Sequence, residues 1–302
     1  MRQKKLQKYG IKRGKQRYLC CHCKYQFSVS HRTPHWIKKA YDDYVIGKQT
    51  LEQLSRKYQR SLGTLRKHFD QFCVPKQNKM TPDESVNLVF DATFFSRSDG
   101  VLVFRANRKN LYWRFIKSET IKEIDDCLLT LVMLGHEFKS FTIDGRKGVI
   151  SLLKQRFPST PIQLCHFHQV QTIRRYTTNN PKTACGKELK VLMLNLTDHD
   201  ELSFTEALQQ LHSRYDDFLK ERNDNKQFVH RRLRSAFRSL RTNLPHLFTH
   251  KKFPELNIPN TTNTCDGSFA HWKQKVKIHR GLRKHRRNKM INFLLNFNTK
   301  TT

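Results

Sequence analysis

VNLVFDATFF, residues 86–95, places one carboxylate, Asp91, inside an apolar run of strand-forming residues. A charge in such a strand is costly unless it is paired or bound to a cation. VLVFRAN (101–107) follows the SRSDG turn, and LYWRFI (111–116) follows that. A glycine-containing turn makes the first two strands a hairpin, and the third extends it into a meander. SETIKEIDDCLLTLVMLG (118–135) has helical spacing, with Ser118 as the expected cap and Gly135 as the terminator. FKSFTID (138–144) is a fourth strand, GRKGVISLLKQRF (145–157) a helix and PIQLCHF (161–167) a fifth strand. The order β-β-β-α-β-α-β predicts a mixed sheet covered by helices, in an α+β chain of several domains.

Downstream, residues 169–255 read as mostly helical and basic, with ELKVLMLNL (188–196) and FVHRRLRSAFRSLRTNL (228–244) as examples. They interrupt the strand-rich region of 86–168. A loop, KKFPELNIPNTTNT (251–264), leads to a final helix at about 265–280 and a basic tail, so that 256–302 closes the core.

Upstream, residues 74–85 carry two prolines and little apolar content and read as a linker. Residues 34–73 read as three short helices. Thr50 is the expected cap of TLEQLSRKY and Ser61 that of SLGTLRKHFDQF, with a tight turn between them. Two capped helices joined in this way predict a helix-turn-helix. Arg60, Thr64, Arg66 and Lys67 would then face the major groove or its phosphates. An ordinary helical hairpin is the alternative. Residues 1–33 are basic and contain YLCCHCKYQF, in which Cys20 and Cys23 form half of a zinc ribbon. The second pair is not found upstream, and only Cys21, His22, His31 and His35 could substitute. A partial ribbon that holds zinc and one whose basic surface merely touches DNA both remain open.

The chain has 302 residues, 58 Lys+Arg and 25 Asp+Glu, a formal net charge of +33. Such a charge repels itself unless a polyanion screens it, and nucleic acid is the first candidate. The 21 phenylalanines supply bulk for a core, which excludes a disordered chain. A membrane is the weaker partner: the longest apolar run, CLLTLVML (127–134), falls short of the ~18 residues a spanning helix needs. No apolar segment follows the basic MRQKKLQKYG, so a secretory leader is not expected, and the eight cysteines read as reduced thiols or metal ligands in the cytoplasm.

From Asn225 onward the only acids are Glu255 and Asp266, among 18 Lys and Arg. Asp144 ends the fourth strand, beside a glycine. Asp91, Asp144 and Asp266 come from distant segments. Neighbouring aspartates repel, which favours a hard divalent cation between them. Three such carboxylates could hold two Mg²⁺ or Mn²⁺ ions for phosphoryl transfer. Lys273 and Lys277 lie seven and eleven positions beyond Asp266, on the same helical face. Arg146, Lys147 and Arg280 complete the candidate phosphate contacts. Turn and cap roles are the bland alternatives for each aspartate, and Glu188, Glu206 and especially Glu255 are the acids that could replace Asp266. Cys165 and His168 have the C-x-x-H spacing of half a metal site, with His246 and His250 as a conceivable second half. Otherwise Cys165 packs in the core and His168 faces the cleft.

FDATFF, TIDGRKG, the C-x-x-H and IPNTTNTCDGSFAHWKQKVKIHRGL together resemble bacterial insertion-sequence transposases of the Mutator-like group, in the variant with an N-terminal zinc ribbon and helix-turn-helix. The resemblance covers nearly the whole chain. It implies a ribonuclease-H-like core with an all-helical insertion before the last acid. It also implies Mg²⁺- or Mn²⁺-dependent cleavage and joining of DNA at terminal inverted repeats. It implies assembly as a dimer or larger complex on transposon ends and target duplex, in the bacterial nucleoid. The chain departs from the pattern in two places: Asp266 stands where the family usually has glutamate, and the first zinc knuckle is missing. A nuclease of the same fold, and a decayed or domesticated DNA-binding relative, are the competing readings.

Overall fold

A computed structural model describes residues 6–12, 14–28, 35–74 and 85–297. The chain divides into two compact units, Met1–Val74 and Pro75–Thr302. The linker expected at 74–85 lies almost wholly outside the described residues.

In the first unit, β1 (Leu6–Lys12), β2 (Lys15–Cys20) and β3 (Gln26–Ser28) form a small antiparallel sheet. Three helices follow: α1 (His35–Val45), α2 (Leu51–Tyr58) and α3 (Leu62–Gln71). Thr50 caps α2 in a reciprocal box with Gln53, and Ser61 caps α3 by accepting from the Thr64 N–H. Each such cap contributes ~1 kcal/mol. Gln59 adopts a left-handed conformation at φ 49°, which ends α2 and turns the chain within three residues. Leu54 and Leu65 are fully buried, and Asp43 of α1 is held by Lys57 and by the Tyr58 hydroxyl of α2, both at 2.7 Å.

The second unit is built on β4 (Val86–Ser96), β5 (Asp99–Ala106), β6 (Lys109–Ile116), β7 (Phe138–Ile143) and β8 (Ile162–Leu164). Their order across the sheet is β6-β5-β4-β7-β8. The first three form the expected antiparallel meander, and β7 and β8 join β4 in parallel. The crossovers are α4 (Ile121–Met133) and α5 (Lys147–Arg156). Thr120, not the expected Ser118, caps α4, because its hydroxyl is the one that reaches the Glu123 N–H at 3.1 Å. Gly135, at φ 88°, follows the last turn as expected.

Strand alternation sorts the two faces of the sheet. Leu88, Phe90, Leu102, Phe104, Phe141 and Ile143 enter one core with Ile124, Leu128 and Leu131 of α4 and Val149 and Leu153 of α5. That core continues into a helical region: α6 (His166–Thr177), α7 (Ala184–Leu194), α8 (Glu201–Arg214), α9 (Asp216–Lys220), α10 (Arg231–Asn243) and α11 (Thr249–Lys252). Asn87, Val89, Asp91 and Thr93 point to the other face, where α12 (Asn263–Ile278) packs on β4 and α13 (Lys284–Phe297) on β6.

One expectation at the C-terminus is corrected. The helix expected at about 265–280 is α12, Asn263–Ile278, but it is not the last: residues 284–297, read as a basic tail, form α13. The basic KHRRNK run at its start conceals the apolar face. Met290, Ile291, Leu294 and Leu295 are buried, and Arg287 is ion-paired with Asp99, itself 3% exposed.

Candidate active site

The parallel pairing of β4 with β7 ends at Val89↔Thr142. Asp91 and Asp144 each lie two residues beyond that pair: Asp91 midway along β4, still paired with Val103 of β5, and Asp144 just past the carboxyl end of β7, where open α/β sheets leave a crevice for ligands. Cys165 follows β8 at the same level, its N–H donating to the Ile143 carbonyl at 2.8 Å. It starts α6, which places His168 one turn in, half-buried.

The loop before α12 is fastened across these strand ends by polar side chains. Asn87 donates to the Leu256 carbonyl at 2.7 Å and accepts from Ser140 at 2.8 Å. Thr142 donates to the Pro259 carbonyl at 2.7 Å, and the His166 N–H donates to that of Asn260 at 2.9 Å. Thr262, fully buried, then ties three site residues together. Its N–H donates to the Cys165 sulfur at 3.2 Å. Its hydroxyl lies 3.3 Å from that sulfur, 3.2 Å from His168 Nδ1 and 3.1 Å from Asp266 Oδ2.

A ligand atom from each of Asp91, His168 and Asp266 lies within 4.8 Å of the other two, a spacing that one cation could bridge. Asp266 sits in the first turn of α12 and is not its N-cap; that position belongs to Thr262. Asp144 lies outside this tight group but close enough to act on Asp91.

Electrostatics set Asp91 and Asp144 apart from ordinary surface acids. Burial pushes Asp91 up to about 7; His168 and the Ala92 N–H, which donates to Oδ1 at 2.8 Å, oppose the rise, while Asp266 and Asp144 add to it. Burial also raises Asp144, against Arg146 and His168. His168 is raised to about 9, first by its hydrogen bond with Cys165, against burial, and further by Asp91 and Asp266. Burial raises the Cys165 thiol, but hydrogen bonds from His168 and Thr262 outweigh it and hold the thiol below its ordinary value. Burial leads both rises, and a cation would offset the cost of ionising a carboxylate where Asp91, His168 and Asp266 bring ligand atoms within 4.8 Å of one another. The donor set therefore fits a divalent cation.

Other candidate residues fall elsewhere. Arg146 is engaged by Glu119, ion-paired at 2.7 Å and bonded to its carbonyl at 3.1 Å, whereas Lys147 is exposed at the start of α5. Lys273, Lys277 and Arg280 are exposed. Glu188 is taken by Arg214 and Tyr215, both at 2.6 Å, while Glu206 and Glu255 are exposed; none of the three joins the cluster. His250 bonds Gln163 through its N–H and ring, and no metal-holding group forms from Cys165, His168, His246 and His250 among the described residues. In the first unit Cys20 is buried and Cys23 exposed, in a knuckle closed by the Lys24 N–H on the Cys20 carbonyl at 2.9 Å. No third ligand gathers there among the described residues, and His31 lies outside them. Arg66 and Lys67 are exposed on α3; Arg60 stacks over the Trp36 ring at 5.7 Å, and Thr64 is partly used in the Ser61 cap.

Sequence reasoning passed over Arg105. It is 4% exposed and projects from β5 onto the face opposite Phe104. Its guanidinium donates to the Thr264 carbonyl, to the Ser268 hydroxyl at 2.9 Å and to Asn110 at 2.8 Å, and Asn110 donates to the Leu295 carbonyl at 2.9 Å. Residues 264 and 268 flank Asp266, so Arg105 fixes the turn that carries it. A lone cation in VLVFRAN was as visible a signal as the lone anion in VNLVFDATFF. Thr262, inside a TTNT run, gave none.

No family model matches the chain, and no curated protein matches it.

Proposed function

We propose that this chain is a metal-dependent DNA transposase, cutting and joining DNA strands at the ends of an insertion sequence. The observation that carries the reading is Asp91 and Asp266, drawn from opposite ends of the second unit into one half-buried cluster beside Asp144. The β-β-β-α-β-α-β order, with one carboxylate midway along β4 and another just past the end of the adjoining β7, supports a ribonuclease-H-like core. The helices α6–α11 stand where the resemblance puts an insertion.

Asp91, Asp144 and Asp266 would hold two Mg²⁺ or Mn²⁺ ions. Such ions supply the charge that activates an attacking oxygen and steadies the leaving one during in-line phosphoryl transfer. The protein's own part is positioning. Thr262 and Arg105 hold Asp266 toward Asp91, and the polar straps from Asn87 and Thr142 keep the loop on the sheet. Lys147, Lys273 and Lys277 offer exposed ammonium groups to the backbone phosphates. In the first unit, Arg66 and Lys67 of α3 are suited to grip a duplex, as the recognition helix of a helix-turn-helix does. Assembly as a dimer on paired transposon ends belongs to the same proposal.

A second reading, a DNA binder without catalysis, is favoured by one observation: Asp144 lies outside the tight cluster. Duplexes carrying the sequence that flanks the reading frame, incubated with Mg²⁺ or Mn²⁺, separate the readings. Cleavage followed by joining supports a transposase. Cleavage without joining indicates a nuclease, and binding without either indicates the inert relative.

A further inference from the structure

We propose that His168 gives an imidazole nitrogen to a divalent cation shared with Asp91 and Asp266, oriented by the Thr262 hydroxyl, so that this position takes a first-row transition ion in preference to Mg²⁺. The inference rests on the reading of Asp91 and Asp266 as cation ligands, and adds the third donor and the class of ion.

Thr262 Oγ1 has a single proton and lies within hydrogen-bond distance of Asp266 Oδ2, the Cys165 sulfur and His168 Nδ1. Cys165 already accepts from the Thr262 N–H. Given to Asp266, the hydroxyl proton leaves the Thr262 lone pairs facing His168, where they accept the Nδ1–H. With Nδ1 so engaged, Nε2 is the nitrogen left for a cation, which must displace the proton that the His168–Cys165 hydrogen bond and the two aspartates otherwise favour. Metal-bound histidines are held in this way, with the second nitrogen donating to a fixed partner. The same hydroxyl restrains Asp266, so one buried residue orients two of the three donors.

The donor types decide the ion. Mg²⁺ keeps its waters and prefers oxygen, whereas nitrogen donors favour transition ions. Two carboxylates and one imidazole, held within 4.8 Å of one another, make a mixed set of the second kind.

The test uses the full chain without DNA and Mn²⁺ as the probe. Pulsed electron paramagnetic resonance of bound Mn²⁺ is expected to show coupling to one ¹⁴N nucleus. The coupling should disappear in His168→Ala, and tenfold excess Mg²⁺ should fail to displace the ion from the native chain. Thr262→Val keeps all three donors but removes their tether. It should retain the ¹⁴N coupling while weakening Mn²⁺ ~10–100-fold, the usual effect of losing such a partner. Thermal unfolding of each variant identifies any that fails to fold, and Thr262→Val then carries the test alone. Bound Mn²⁺ that is lost in Asp91→Asn but shows no ¹⁴N coupling would overturn the role of His168 and leave the carboxylate reading standing. It would mean that His168 is an imidazolium that neutralises the aspartates. A native chain that binds no Mn²⁺ would overturn both.

Discussion

Asp91 is more costly to the cation-free protein than it is useful to it. In the unfolded chain an aspartate loses its proton near pH ~4, but in the fold Asp91 keeps it up to about 7, chiefly because it is buried. A folded value raised above the unfolded one leaves stability intact in acid and removes it as pH climbs from ~4 to 7. His168 acts in the same direction. Raised to about 9, it contributes fully below ~6.5, its unfolded value, and loses that contribution as pH rises through 9. Cation-free Asp91→Asn, which preserves shape and can still accept from the Ala92 N–H, is therefore expected to unfold at a higher temperature than the native chain at pH 8. The gain should be ~2–4 °C per kcal/mol recovered, with Mn²⁺ binding abolished; a lower midpoint would contradict this. Asp91 was legible because a carboxylate inside FDATFF is costly within an apolar strand, although a strand-end turn was its bland alternative. Asp266 was legible because it is nearly alone among cations. The link between them was not: Thr262 does its work through a hydroxyl whose three neighbours come from two separate segments.

At the scale of elements, α12 is held at its start by β5. Arg105→Met removes both bonds to the turn around Asp266 and strips Asn110 of a donor. Cleavage is expected to fall on the order of 10²-fold, the cost of misplacing a reacting group by about an ångström. DNA affinity should be unchanged, and Arg105→Lys, which keeps one donor, should recover part of the rate. Equal loss of affinity and rate would reduce Arg105 to a structural residue. Behind it, Leu295→Ala in α13 empties a fully buried position and should cost ~2–5 kcal/mol in chemical denaturation; a near-zero cost would mean that α13 is not part of the core. The meander and crossovers could be read from apolar runs and turns because each strand is bounded by its own punctuation. α13 could not, because its first turns are cationic and its apolar face emerges only where Trp113 and Asn110 of β6 reach Asn292 and Leu295.

Across the whole molecule, 58 Lys and Arg face 25 Asp and Glu, a formal charge of +33 on 302 residues, so more than half of the cations have no acid to pair with one to one. That surplus suits a polyanion, and no helix among the described residues is long and apolar enough to cross a membrane. Full-length Arg66→Ala/Lys67→Ala is expected to flatten the dependence of log affinity on log salt by roughly 1 for each phosphate that these side chains no longer neutralise. An unchanged slope would place DNA elsewhere. Composition raised the expectation of a polyanion partner, and sequence order pointed to the mixed sheet, but neither could show that Asp144 stands outside the group of Asp91, His168 and Asp266. The most direct test of the site is strand cleavage by Asp266→Asn against the native chain, in Mn²⁺, on flanking duplex at saturating protein. The expected result is cleavage by the native chain and none by the variant at equal DNA occupancy. Undiminished cleavage by Asp266→Asn would contradict the site, leaving Asp266 an ordinary acid in the first turn of α12.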